Sequence, residues 1–147
     1  MADHPTFSQM VRRLLRPEQR SASARTVEAF GWLLLFEGGV IFLAPQGVAA
    51  LLGLPDFSAS AAVYFRIVGL LISGLGMLYT VSGRLNADGF IFASLLDRPI
   101  APFVMLVLWY LDLCPGILAV LFGLQDFGSF LWTLWAWCKV DTKAVVQ

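Results

Sequence analysis

The fold class this sequence predicts is all-α: an integral membrane four-helix bundle with an N-terminal amphipathic helix. Three observations lead to it. Apolar residues make up 59% of the chain and charged residues 14%, with a mean hydropathy of +0.77, more apolar than the surface of a small water-soluble domain tolerates. The apolar residues gather in stretches, and at about 20 residues per crossing the 147 residues suffice for four spans with short connections and no separate soluble domain. The ten basic residues balance the ten acidic ones in number but not in place. Arg12, Arg13, Arg16, Arg20 and Arg25 crowd the first 25 residues against only Asp3 and Glu18.

Taken in order, residues 1–25 form a basic amphipathic segment. Phe7, Met10, Val11, Leu14 and Leu15 recur at i, i+3, i+4, i+7 and i+8 with Arg12, Arg13 and Arg16 around them, and Pro17 ends that helix. Such a segment serves as a topology signal and membrane anchor, each arginine near anionic headgroups adding about 1 kcal/mol; the sharper reading is a docking arm for a partner. No small-residue cleavage site precedes the apolar stretch that begins near Thr26, which argues against a signal peptide. The bundle is expected over 26–140, with spans at 26–44, 61–83, 99–123 and 127–140, and a tail at 141–147. The first span stops at Pro45 and is apolar except for Glu28 and Glu37. Val48, Leu51, Leu52 and Leu54 between Pro45 and Pro55 predict a short interfacial helix that closes one end. The fourth stretch is short enough to be a half-span or an interfacial helix, and Trp132, Trp135 and Trp137 suit a membrane boundary on either reading.

Orientation follows from the basic residues. The N-terminal arginines, Arg84 and Arg98 in the connection between spans two and three, and Lys139 and Lys143 in the tail fall on one side, leaving only Arg66 inside a span. The segments 45–60 and 125–126 have none, so both termini are expected in the cytoplasm.

Three ionisable residues interrupt the expected spans: Glu37, Arg66 and Asp112. A charge near the bilayer centre costs at least ~2.5 kcal/mol and normally turns to the protein interior to find partners. At a rise of ~1.5 Å per residue all three fall at comparable depths. Arg66 continues into Gly69, Ser73, Gly76, Thr80 and Gly83, and Asp112 into Gly116, Ala119 and Gly123, stripes of small residues where membrane helices approach closely. The expectation is a buried cluster in which Arg66 bridges Glu37 and Asp112, either fixing helix register or binding a ligand or proton. Tyr79 and Tyr110 are its further members, Tyr64 a packing residue.

Haem and zinc are not expected, since the one histidine is His4 in the tail and the cysteines, Cys114 and Cys138, are expected at different depths. No phosphate loop, nucleophile elbow or metal-ligand spacing is present, so neither a cofactor nor a metal is predicted. Nucleic acid is excluded as a partner because the arginine-rich tail offers no aromatic stacking platform beyond Phe7. The partners are the lipid bilayer and either another membrane protein or a second copy of the chain. Three functions fit. The first is a non-catalytic accessory or assembly subunit of a larger membrane complex. The second is a binder or carrier of a lipidic small molecule that uses the Glu/Arg/Asp cluster. The third is a sterol-isomerase-like membrane enzyme with the two carboxylates as acid and base.

The run Tyr64-Phe65-Arg66-Ile67-Val68-Gly69 through Gly74-Leu75-Gly76-Met77-Leu78-Tyr79, followed by Arg84 and Asn86, resembles the small four-span bacterial membrane proteins of the BphX-like and DoxX-like kind. The proline-bearing connection from Pro45 to Pro55 and the order of the spans extend the resemblance over about three quarters of the chain. The basic tail before Thr26 and the tryptophan-rich end are not part of it. The resemblance implies a four-helix membrane bundle, often associated with redox or aromatic-degradation operons, and supplies no catalytic residues.

Overall fold

The computed structural model describes residues 5–17 and 19–144, the last five as backbone only; His4, Glu18, the side chain of Lys143 and tail residues 145–147 lie outside the described residues. The chain is helical: α1 Phe7–Leu15, α2 Ala22–Leu43, α3 Pro45–Leu51, α4 Ala59–Arg84, α5 Asp88–Asp97, α6 Ile100–Tyr110 and α7 Gly116–Ala144. Among the described residues there is no strand. Four stretches are long and apolar enough to cross a bilayer: α2, α4, α5 continued by α6, and α7 as far as Lys139.

Local chemistry sets the helix ends. Thr6 and Gln9 form a reciprocal capping box at the start of α1, and Ser21 caps α2 by accepting from the Ala24 amide at 3.1 Å, satisfying amides that lack helical partners. The cap places the start of α2 at Ala22, four residues before the expected Thr26. Pro45 occupies the first turn of α3, where its missing amide costs nothing. Gly53 then reverses the chain at φ +64°.

The tightest packing joins α2 to α4, and it is built from absent side chains. Gly31 and Gly38 on α2, and Gly69, Gly76 and Gly83 on α4, repeat at intervals of seven residues. A Cβ on Gly38 would stand 2.5 Å from the Gly69 carbonyl and the Ser73 amide, one on Gly76 2.6 Å from the Leu35 amide, and one on Gly83 2.7 Å from the Ala24 carbonyl. The two backbones therefore touch directly along an antiparallel seam, the close approach that small residues permit. The expected stripe on α4 is real, and its partner is α2.

Large apolar side chains point outward, the reverse of a water-soluble bundle. On α4 the buried residues are Ala62, Gly69, Gly76, Tyr79, Thr80 and Gly83, while Leu71 is 67% and Leu70 58% exposed. A surface so apolar on all four long helices is stable only against lipid. The protein is an integral membrane protein with four crossings. Its core lies toward the end where α2 begins: Ala24, Val27, Phe30, Leu34, Tyr79 and Ile91 pack together, with Trp137 against them.

The second half of the chain departs from the expected spans. The third crossing is 88–110 rather than 99–123, and the fourth begins at Gly116 rather than Phe127. Pro99 does not open a helix after a long connection. It interrupts a crossing already under way, because Pro99 and Pro102 have no amide hydrogen for the carbonyls four residues back, and the helix breaks between α5 and α6. The connection expected over 84–98 shrinks to the turn 85–87, where Asn86 takes φ 52°. The true turn at the far end is 111–115. α7, at 29 residues, crosses fully, and its last turns carry the exposed Trp132 and Trp135, with Lys139 Nζ 3.6 Å from the Trp135 ring centre. Arg98 thus leaves the basic side and becomes an intramembrane residue, while the two turns at the opposite end remain without Lys or Arg.

Candidate functional site

Arg98 is the largest fully buried side chain, 2% exposed. It stands at the proline break, near the middle of the third crossing. Its Nη1 donates to the Thr133 hydroxyl at 2.9 Å and to the Ser129 carbonyl at 3.1 Å on α7, and Thr133 lies 3.0 Å from the Thr26 hydroxyl of α2. The guanidinium carbon lies 4.3 Å from the Phe30 ring centre and 5.0 Å from that of Tyr79, where the negative face of each ring attracts the cation. Phe30 and Tyr79 pack edge to face at 5.4 Å, and Tyr79 and Phe90 at 5.0 Å. One edge of the guanidinium is left over: beyond the close approach to Tyr79, the buried Nε and Nη2 have no hydrogen-bond partner among the described residues.

Arg98 lines a partly open cavity of about 450 Å³ between the crossings, with Phe30 and Leu34 from α2, Ile72, Leu75 and Tyr79 from α4, Val104 and Met105 from α6, and Phe122 from α7; Leu75 and Val104 also face the outside of the bundle. Its walls are apolar, and its polar groups are Asp97, Arg98, Tyr79, Gln125 and Asp126. Asp126 shares the cavity with Arg98, but no ion pair joins the two among the described residues. Beside the cavity, Gln125 Nε2 donates to Glu37 Oε2 at 2.8 Å, tying α7 to α2. A larger hollow of about 500 Å³ lies against Leu106, Trp109, Tyr110 and Asp112, but every residue lining it is exposed.

The structure divides the predicted cluster. Glu37 and Tyr79 are part of the intramembrane polar group; Arg66, Asp112 and Tyr110 are not. Gly69 already faces Phe42, at the last turn of α2, so Arg66 lies one turn beyond its neighbour's end and is exposed, free to reach the headgroups at that side. Asp112 is in the turn after α6, exposed, with φ 55°, and Tyr110 is 85% exposed at the end of α6. The small residues expected beside Asp112 belong to the next helix: a Cβ on Gly116 would lie 3.0 Å from Trp109 Nε1 and one on Gly123 3.7 Å from Pro102, so they seat α7 against α6. Cys114 falls in the same turn, at the opposite end of α7 from Cys138. Arg98, not Arg66, is the buried arginine of the group, and it joins α5 to α7 through Thr133 and the Ser129 carbonyl rather than by bridging carboxylates.

A second ionic group, on the stretch of α2 between Thr26 and Phe30, was hidden in the sequence as an isolated carboxylate in the first span. Glu28 is buried and accepts from Arg20 Nη1 through one oxygen and from Arg84 Nε at 2.9 Å through the other. Arg84 also donates to the Leu14 carbonyl at 3.1 Å, fastening α1 to the end of α4. The available signal was Glu28 itself, an acid one turn inside a span whose entrance is crowded with arginines. Replacing Glu28 by alanine leaves two half-buried cations without an anion and is expected to cost about 2 kcal/mol. Thermal unfolding in detergent reads this as a lowered midpoint, and an unchanged midpoint would show that the pair carries no stability.

No protein-family model matches the chain, and no curated protein or solved structure is significantly similar to it. The function is therefore argued from the cavity and its charges alone.

Proposed function

We propose that this protein binds a neutral lipidic small molecule inside the membrane, without catalysing its conversion, and that both termini lie in the cytoplasm. The observation that carries the reading is the unpaired edge of Arg98 in the wall of an apolar cavity of about 450 Å³. Leaving two guanidinium donors unbonded in a buried site costs roughly 1–3 kcal/mol or more. That cost is offset whenever a bound molecule supplies the acceptor. A volume of this size, apolar walls and a few convergent polar groups are the ordinary features of a small-molecule site.

The charges indicate which head group fits. Two carboxylates, Asp97 and Asp126, line the cavity against one guanidinium, so an anionic head would add like charge and a cationic head would face Arg98. A hydroxyl or carbonyl head accepts from Arg98 without either cost, and a hydroxyl can also donate to Asp126. The isomerase reading required Glu37 and Asp112 to act together; Asp112 is in a turn and Glu37 is paired with Gln125, so that reading has no acid–base pair left.

The test is a binding titration of the full chain in detergent with hexadecanol, hexadecanoate and hexadecylamine. Hexadecanol is expected to bind most tightly, and Arg98→Met to weaken it at least tenfold, the loss of one hydrogen bond to a charged donor. Equal binding of hexadecanol by both forms, or a preference for the amine, would refute the assignment. A second reading, an accessory or assembly subunit of a larger membrane complex, is favoured by α6, which buries none of its eleven residues and so offers a whole face to a neighbouring helix. Purification in mild detergent with a stoichiometric protein partner, and no hexadecanol binding, would establish that reading instead.

A further inference from the structure

Separately from the cavity, we propose that the basic end of the bundle carries a formed site for the phosphate of an anionic membrane lipid, made by Arg13, Arg20 and Arg84. These arginines come from α1, from the connection before α2 and from the last residue of α4, and they line one hollow of about 190 Å³ together with Gln19 and Asn86. Three cations converge there. Glu28 pairs with Arg20 and Arg84 and balances one of the three charges, which leaves the hollow an excess of positive charge among the described residues.

The site is held in shape before any ligand arrives. Glu28 fixes the guanidinium groups of Arg20 and Arg84 with its two oxygens. Arg84 is held further by the Leu14 carbonyl at 3.1 Å and stands 5.9 Å from the Trp32 ring centre. The connection itself is pinned by the Ser21 amide, which donates to Asn86 Oδ1 at 2.9 Å. Planar guanidinium forks match phosphate oxygens better than ammonium groups do; Arg20 and Arg84 have little side-chain freedom left to lose on binding, and Arg13 adds a third, exposed fork at the rim.

The phosphate belongs to a lipid because of what surrounds the hollow. α1, which supplies Arg13, presents Phe7, Val11 and Leu15 on one uncovered face, an apolar stripe that suits the acyl boundary while the arginines stay at headgroup level. A phosphate bound there sits where the chain passes from its interfacial helix into its first crossing.

The experiment titrates the full-length protein in zwitterionic detergent with phosphatidylglycerol or phosphatidylcholine at about 0.15 M salt, where exposed charges are screened beyond ~8 Å, and counts bound lipid by native mass spectrometry. One phosphatidylglycerol per chain is expected to bind at least tenfold more tightly than phosphatidylcholine. Arg13→Gln, which leaves the Glu28 pairs in place, should weaken it tenfold or more, as expected for lost charge-assisted hydrogen bonds. Arg25→Gln, an exposed arginine outside the hollow, should stay within about fivefold of the parent, the diffuse contribution of one near-surface charge. Equal losses in the two variants, or equal retention of both lipids, would overturn the proposal. Displacement of the lipid by millimolar inorganic phosphate would assign the site to a soluble anion and overturn the lipid assignment.

Discussion

Gly38→Val is expected to abolish the folded bundle, whereas Gly39→Val, one residue along, is expected to leave it intact. The contrast follows from what a Cβ meets. At Gly38 it would stand 2.5 Å from the backbone of Gly69 and Ser73, and at Gly39 nothing lies within 4 Å. Backbone atoms in a helix cannot swing aside as a side-chain tip can, so the clash is relieved only by driving α2 and α4 apart. That separation opens the contacts of Gly31 with Thr80 and of Gly76 with Leu35 along the same seam. Overpacking costs ~1–3 kcal/mol where side chains can yield and more where a Cβ meets backbone along a whole seam, against a total margin of only ~5–15 kcal/mol. The readout is the fraction of monodisperse protein after extraction and its unfolding midpoint in detergent. Similar behaviour of the two variants would mean that the seam is not the main contact between these helices.

Arg98→Met is expected to do the opposite to stability while removing binding. The ligand-free parent keeps a guanidinium in the membrane interior with two donors unbonded. Replacing a whole buried ion pair by apolar side chains of similar volume is often neutral or stabilising by ~1–4 kcal/mol, and no ion pair holds Arg98 among the described residues, so its removal breaks none. The groups left behind are not stranded. Thr133 keeps its contact with Thr26 at 3.0 Å, and Ser129 is inside α7, where its carbonyl has a helical partner. A midpoint raised by several degrees, together with the loss of hexadecanol binding, would mark Arg98 as kept for its ligand at the expense of stability. A lowered midpoint would instead make the guanidinium a strut between α5 and α7, with binding a secondary property.

The first half of the chain was legible because its signals are local. The amphipathic period of α1, the stop at Pro45, the short helix α3 and the small-residue stripe of α4 each need only a few neighbouring residues to be seen. The second half turned on two prolines. The same residue that opens a helix in one context kinks a membrane helix in another, because neighbouring segments can satisfy the freed carbonyls. Taking Pro99 as a start displaced the third and fourth spans, moved Asp112 from a turn into the membrane and moved Arg98 from the membrane into a connection. The presence of a buried polar group containing an arginine was readable from the cost of intramembrane charge. Its membership was not, since Arg98 meets Phe30, Tyr79 and Thr133 only through tertiary packing. Glu37 lies inside the bundle and Arg66 at its edge because α2 continues past the level of Glu37 but ends before that of Arg66.

The glycine seam also sets the order in which the molecule can be assembled. α2 and α4 are the first two crossings to leave the ribosome, and the contact between them needs nothing synthesised later, so the hairpin can close while α5 to α7 are still being made. Arg98 then enters a bilayer in which Phe30 and Tyr79 already stand as a receiving wall. The costliest charge in the chain arrives after its aromatic wall and before its two hydrogen-bond acceptors on α7.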